Sequence, residues 1–291
     1  MRFDWKIGTR TLALGKRTLV MGVLNVTPDS FSDGGYYLNS ELAVEHGLRL
    51  LDEGADILDI GGESTRPGAR GDVTLTEEQE RIGPVIEALL QERPEAVLSI
   101  DTYHAATARA AVEAGVEIVN DVSGFLWDTE MAATCAELEC GLVLMHTRGR
   151  SEQWSSMPAL DADEVVPLVR DGLRWVIGAA NAAGIARNRI VLDPGFGFGK
   201  RVEENYPLLA RFDSLQALGF PLLAGVSRKG FLAKTLATVH GGTPPELMKR
   251  IHGSNAANVA AVLGGAHVIR VHDVMAAREA VAIADAVLAA G

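Results

Sequence analysis

The residues best able to do chemistry stand at the ends of short apolar runs. Ile190-Val191-Leu192 reads as a buried strand that ends on Asp193, and Pro194-Gly195 then stops it. Gly195, Gly197 and Gly199 alternate with phenylalanines up to Lys200, and such glycines let a loop pass close to something flat or charged. The run is neither a Walker loop nor a dinucleotide fingerprint, because its spacing fits neither and no Ser or Thr follows Lys200. Seven more run ends carry polar groups: Asn25, Glu63-Ser64-Thr65-Arg66, Asp101, Asn120-Asp121, His146, Ser227-Arg228-Lys229 and Arg270-His272. Each alone has an ordinary explanation. Asp101-Thr102 can cap a helix, Asn120-Asp121 can cap a turn, and His146 stays open between a half-buried core histidine and a site residue. Together the ordinary explanations become improbable.

Two chemistries separate. Asp101, Asn120 and Asp193 are short, rigid hydrogen-bonding side chains suited to a flat heterocycle with ring N–H groups and an exocyclic amine, since a carboxylate accepts two parallel bonds from an amidine-like edge. Lys229 adds a donor for a ring carbonyl or nitrogen. Arg66, Arg270 and His272 form the second set, in which Arg forks match phosphate oxygens and His carries a proton near neutral pH. No Asp, Glu and His group has the spacing of a tight metal cage. Mg²⁺ held mainly by ligand phosphates would need only one or two protein oxygens, and Asn25 offers one.

These groups need a frame that brings eight strand ends to one rim. The strands read as Thr18–Asn25, Asp56–Gly61, Ala96–Asp101, Glu117–Asp121, Gly141–His146, Arg189–Asp193, Pro221–Ser227 and His267–His272. The helices read as Ser40–Glu53, Thr76–Gln91, His104–Ala114, Asp128–Leu138, Asp161–Ala183, Glu203–Leu218, Pro244–Leu263 and Val274–Ala289. This alternation, without a linker, predicts one (β/α)8 TIM barrel domain over residues 1–291, with a short hairpin at residues 3–17 plugging one end. The longest loops follow the first, second, fifth and seventh strands, at 26–39, 62–75, 147–160 and 228–243. Those at 26–39 and 62–75 are expected to close over the site.

Composition narrows the partners. The 291 residues are 47% apolar, enough for a large core, and the net charge of −11 argues against non-specific nucleic-acid binding. Cys135 and Cys140 lack metal or redox spacing and read as reduced core thiols. The N-terminal residues do not form a signal peptide, and no apolar run approaches the ~20 residues of a membrane helix. A cytoplasmic protein is the expectation.

Long motifs then carry a family resemblance. Gly22 to Gly35, with Asn25, Asp29, Phe31 and Asp33, resembles the first signature of the dihydropteroate synthases, and Asp59 to Gly68 resembles the second. Asp193 to Lys200, Gly225 to Lys229 and Arg270 to Val274 also match, in the same order. The resemblance implies condensation of a dihydropterin diphosphate with 4-aminobenzoate, releasing diphosphate and 7,8-dihydropteroate, by an SN1-like route. Carried over by position, Asp101, Asn120, Asp193 and Lys229 hold the pterin. Asn25, Arg66, Arg270 and His272 hold diphosphate, with Mg²⁺ at Asn25. Thr65, Pro67, Phe198 and Ser227 frame the aminobenzoate. Asp101, Lys229, Arg66 and His272 are the catalytic candidates. The family also suggests a homodimer through the late helices, whereas ordinary packing of those Ala-rich helices on the barrel wall remains open. Two rivals stay in view. A methyltetrahydrofolate methyltransferase would share the pterin floor without needing Arg66, Arg270 and His272, and a non-enzymatic pterin-binding subunit should have lost loop or diphosphate residues.

Overall fold

The computed structural model of the chain describes residues 1–26, 36–63 and 74–291, and the side chains of all of these except 36–39. Thr65, Arg66 and Pro67, with Asp29, Phe31 and Asp33 and most of the two loops expected to close, lie outside the described residues.

Eight strands run parallel: β3 (Leu19–Asn25), β4 (Ile57–Gly61), β5 (Leu98–Asp101), β6 (Ile118–Asp121), β7 (Gly141–Met145), β8 (Ile190–Asp193), β9 (Leu223–Ala224) and β10 (Val268–Val271). Their hydrogen-bonded order is β8-β7-β6-β5-β4-β3-β10-β9. A parallel bridge between Leu192 and Leu222, with Leu192 N–H donating to Pro221 O at 2.9 Å, closes the ring. The helices between them form the outer layer: α1 (Tyr36–Asp52), α2 (Leu75–Glu92), α3 (Ala105–Glu113), α4 (Met131–Leu138), α5 (Val165–Ala182), α6 (Asn205–Ala210), α7 (Gly230–Ala237), α8 (Ile251–Leu263) and α9 (Val274–Ala290). This is the TIM barrel that the alternation predicts.

Alternation along each strand explains what faces inward. Outward residues such as Val20, Leu24, Leu58, Ile60, Leu98, Ile100, Leu142, Leu144 and Ile269 join the helices in one apolar cluster. Inward residues change character along the strand. Met21, Ile57, Val97, Ile118, Val143, Val191 and Val268 make an apolar lower layer. One pleat further on, Asp59, Ser99, Asn120, Asp193 and Arg270 make a polar upper layer, largely buried. Parallel registers Asp59↔Ser99 and Asp101↔Asn120 set these polar side chains at matching heights.

The hairpin seals the lower layer. β1 (Phe3–Ile7) and β2 (Arg10–Leu14) pair antiparallel, and Trp5, Ile7 and Leu14 bury themselves in the same cluster as the inward strand residues. Trp5 Nε1 donates to Arg189 O at 2.9 Å. Ile7 lies so close to Gly141 that a Cβ there would strike it.

Four expectations change. The helix expected over Glu203–Leu218 is α6 followed by a 3-10 turn, Phe212–Leu218, whose tighter winding brings both Phe212 and Leu215 into the core. The helix expected from Pro244 begins at Ile251, because a residue before proline disfavours the helical region and Pro244-Pro245 imposes this in tandem. The stretch 228–243, expected as a loop, contains α7, a helix too short to display a helical period. Likewise β9 pairs over two residues only, because the chain turns after Gly225, with Lys229 N–H donating to Val226 O at 3.3 Å.

The hairpin plug is testable. Trp5→Ala empties a fully buried site and should cost about 3–5 kcal/mol of unfolding free energy in denaturant titrations. A cost below about 1 kcal/mol would show that the hairpin is not part of the core.

Candidate active site

At the carboxyl ends of the strands a cavity of about 500 Å³ opens to the rim. Every described residue expected at the site lines it: Asn25, Asp101, Asn120, Asp193, Phe198, Ser227, Lys229, Arg270 and His272. Glu63, Trp154, Lys200, Arg228 and Arg250 line it as well. His146 does not. Its ring packs against Gly172, its Nδ1 has no hydrogen-bond partner among the described residues, and burial holds its pKa well below the usual imidazole value.

The floor is organised by Asp59. This carboxylate is fully buried, and both oxygens are engaged. Ser99 Oγ donates to Oδ1 at 2.6 Å, while Asn120 Nδ2 and Arg270 Nε donate to Oδ2 at 2.9 and 2.5 Å. The second arm of Arg270 reaches Asp101 Oδ2 at 2.6 Å. Arg270 thus spans two carboxylates. Burial pulls its pKa down, but Asp59 and Asp101 outweigh burial and leave it raised. Burial pushes the Asp101 carboxyl up to about 7 against the pull of Arg270. Asp101 Oδ1 is out of water and has no donor among the described residues. An acceptor in that condition calls for a ligand N–H. Asp193 is also raised by burial, against the hydrogen bond that its Oδ1 accepts from Gly195 N–H at 2.7 Å and the charge of Lys229.

The wall comes from the loops after β8 and β9. Gly195, Gly197 and Gly199 have φ of 69°, 81° and 66°, and a Cβ on Gly195 would collide with the His146 carbonyl, so the alternating glycines are required. The turn sets the Phe198 ring 4.1 Å from Lys229 Nζ. Trp154 closes on Phe198 edge-on, with centroids 5.4 Å apart. Arg148 docks this part of the chain by donating to Gly199 O and Pro158 O, both at 3.1 Å.

The rim is held by a strained residue. Arg228 adopts φ of 58°, and its guanidinium forks onto Asp273 at 3.0 and 2.5 Å. Ser227 Oγ accepts from His272 N–H at 3.3 Å and lies 3.1 Å from His272 Nδ1. The Ser227 hydroxyl is therefore engaged with His272. Asn25 ends β3 at the same rim. Among the described residues, no three or more His, Cys, Asp or Glu gather as a metal cage. A cation beside Asn25 would take one hard oxygen from the amide and the rest from ligand and water, a donor set that fits Mg²⁺.

Sequence reading missed Asp59, Trp154 and Lys200 as working parts. Asp59 left one signal: it is the only charged residue in the otherwise apolar run Ile57-Leu58-Asp59-Ile60-Gly61. Lys200 ended a motif already singled out. Trp154 lies in the 147–160 loop, where only the folded structure shows its contact with Phe198.

Comparison with known proteins agrees with this geometry. The family model described as "Pterin binding enzyme" matches residues 21–272. The dihydropteroate synthase of Synechocystis sp. is 41% identical over 284 residues, covering 98% of this chain and 92% of its own. A Xanthomonas albilineans dihydropteroate synthase structure with 4-aminobenzoic acid superposes with a TM-score of 0.88 at 44% identity, covering 99% of both chains. Another structure of the X. albilineans enzyme, in complex with 7,8-dihydropteroate, gives 0.84 at 42% identity, covering 98% of this chain and 99% of that one. With its motifs, barrel and cavity all in agreement, the chain belongs to the pterin-binding enzymes, among the dihydropteroate synthases.

Proposed function

We propose that this chain is a transferase of folate biosynthesis that joins 6-hydroxymethyl-7,8-dihydropterin diphosphate to 4-aminobenzoate, giving 7,8-dihydropteroate and diphosphate. The observation that carries the reading is the buried, donorless Oδ1 of Asp101, set beside Asn120, Asp193 and Lys229 in one cavity. The carboxylates of Asp101 and Asp193 accept the ring N–H and amine hydrogens, and Asn120 and Lys229 complete the edge. Arg270 and His272, with Arg66, take the diphosphate end. Arg270 is already fixed by Asp59, so it meets the developing charge without reorganising.

The carbon–oxygen bond breaks first, and the electron-rich dihydropterin spreads the methylene cation while Asp101 stabilises it electrostatically. The aniline nitrogen then attacks, forms the new C–N bond and releases one proton. It is unprotonated at neutral pH and needs no strong base. Phe198 and Trp154 wall the ring of the second substrate, with Thr65 and Pro67 assigned to the same subsite and Ser227 at its edge. Asn25 is the residue that would hold Mg²⁺, which when bound neutralises charge on the diphosphate oxygens. A methyltransferase reading has no use for the Arg270–His272 pair.

The same reading takes residues 1–291 as one domain and the protein as cytoplasmic. No helix among the described residues is long and apolar enough to cross a membrane. We also infer a homodimer through the late helices, supported by exposed Leu263 on α8 and Met275, Ile283 and Val287 on α9.

Two outcomes follow. Single-turnover reaction of the purified protein with dihydropterin diphosphate, 4-aminobenzoate and Mg²⁺ should release diphosphate in step with dihydropteroate. Diphosphate release without the aminobenzoate adduct, or no reaction, contradicts the assignment. Pterin binding should also depend on pH. Because Asp101 is pushed up to about 7, its accepting carboxylate is depleted below that pH. Affinity measured by calorimetry should fall about tenfold from pH 8 to pH 6. Asp101→Asn should bind weakly with no such slope, and an equal slope in the variant would move the titration to another group.

A further inference from the structure

Lys200 closes the loop after β8 with its ammonium inside the protein. Its Nζ donates to the carbonyls of Gly195 at 2.7 Å, Phe198 at 3.3 Å and His146 at 3.4 Å. Among the described residues its hydrogen bonds go to carbonyl oxygens alone. Such a placement is costly. Burial pulls the amine down to about 7, although Asp193 nearby raises it. An aliphatic side chain would avoid that cost but would leave the carbonyls without these donors, whereas an ammonium carries three donors for three acceptors.

Those carbonyls join two working parts. Phe198 N–H donates to Gly195 O at 3.2 Å and closes a turn, and Lys200 grips the carbonyls at both ends of that turn. The Gly195 end has other support: its own N–H reaches Asp193, and His146 N–H donates to Asp193 O at 2.9 Å. The Phe198 end stands between Gly197 and Gly199, both in the left-handed region; Gly197 N–H donates to Asn205 Oδ1 at 2.7 Å and Gly199 O accepts from Arg148 at 3.1 Å, and Lys200 supplies the bond to the Phe198 carbonyl itself. Phe198 is the residue set against Lys229 and Trp154.

We propose that Lys200 is a positioning residue for the second substrate: its ammonium staples the Gly195–Gly199 turn and so fixes Phe198 as a wall of the aminobenzoate subsite. The proposal rests on the activity assigned above and extends it to a residue outside the substrate-contacting set. Loss of the staple should fall first on capture of the aminobenzoate, because Asp59 holds Asn120 and Arg270, and through Arg270 Asp101, independently of Lys200, and Asp193 keeps its own bond from Gly195 N–H.

The test compares Lys200→Met and Lys200→Ala with the wild-type enzyme. In Lys200→Met the KM for 4-aminobenzoate should rise by about 20-fold or more, while kcat and the KM for dihydropterin diphosphate stay within about threefold. In Lys200→Ala, methylammonium or ethylammonium should lower the raised KM again, and the bulkier guanidinium should not. Hydrogen exchange, read without substrates, should be about tenfold faster across 195–199 in Lys200→Met and slower again when the amine fills Lys200→Ala. An unchanged aminobenzoate KM, equal losses for both substrates, or no recovery with amines overturns the proposal. If the wild-type protein forms no dihydropteroate, the assigned activity falls, and unaltered exchange across 195–199 would separately overturn the staple.

Discussion

A carboxylate with no access to water stands at the centre of this barrel, and the site is built on what it must bind. An ionised Asp59 unpaired in that position would cost several kcal/mol. Its oxygens therefore accept from Ser99 on β5, Asn120 on β6 and Arg270 on β10. Three strands are tied to a fourth through one side chain. The consequence is geometric. Asn120 and Arg270 face the cavity in fixed orientations before any ligand arrives, and Arg270 carries the same constraint on to Asp101. Preorganisation of this kind lowers the cost of binding and of charge development alike.

The division of the barrel interior follows from the same economy. Its lower half is apolar and closed by the hairpin, so solvent does not reach the Asp59 network from below. Its upper half is polar and opens to the rim. Asp101 and Asp193 are both raised by burial, so each is a strong acceptor once a ligand supplies N–H donors. The aromatic wall and the strained Arg228 turn lie above this floor, on loops, where they add shape to the cavity without disturbing the strands.

Much of this was legible in the chain. Eight apolar runs ending in polar residues predicted both the barrel and the rim, because a strand end in a parallel barrel has one place to go. The hairpin was legible from alternation and glycine placement. The network beneath the site was not. Asp59 reads as a lone acid inside an apolar strand until the barrel closes and Arg270, 211 residues away, meets it. Lys200 was equally opaque, since three carbonyl contacts leave no trace in residue types. Helix α7 hid because eight residues show too little period, and β9 was overextended because apolar composition alone does not say where pairing stops. Thr65 and Pro67 carry assignments from motif resemblance alone, and Arg66 from that resemblance and the chemistry of its guanidinium.

The account turns on whether Asp59 sets the floor or merely fills the interior. Asp59→Asn keeps the volume and removes the charge, and calorimetry with dihydropterin diphosphate reads the effect while thermal unfolding reports on the barrel. If Asp59 orients Asn120 and Arg270, the variant remains folded and loses about 30-fold or more in affinity, as expected when one partner of a buried charged pair is removed. Affinity within about twofold of wild type, in a protein equally well folded, would contradict the central claim.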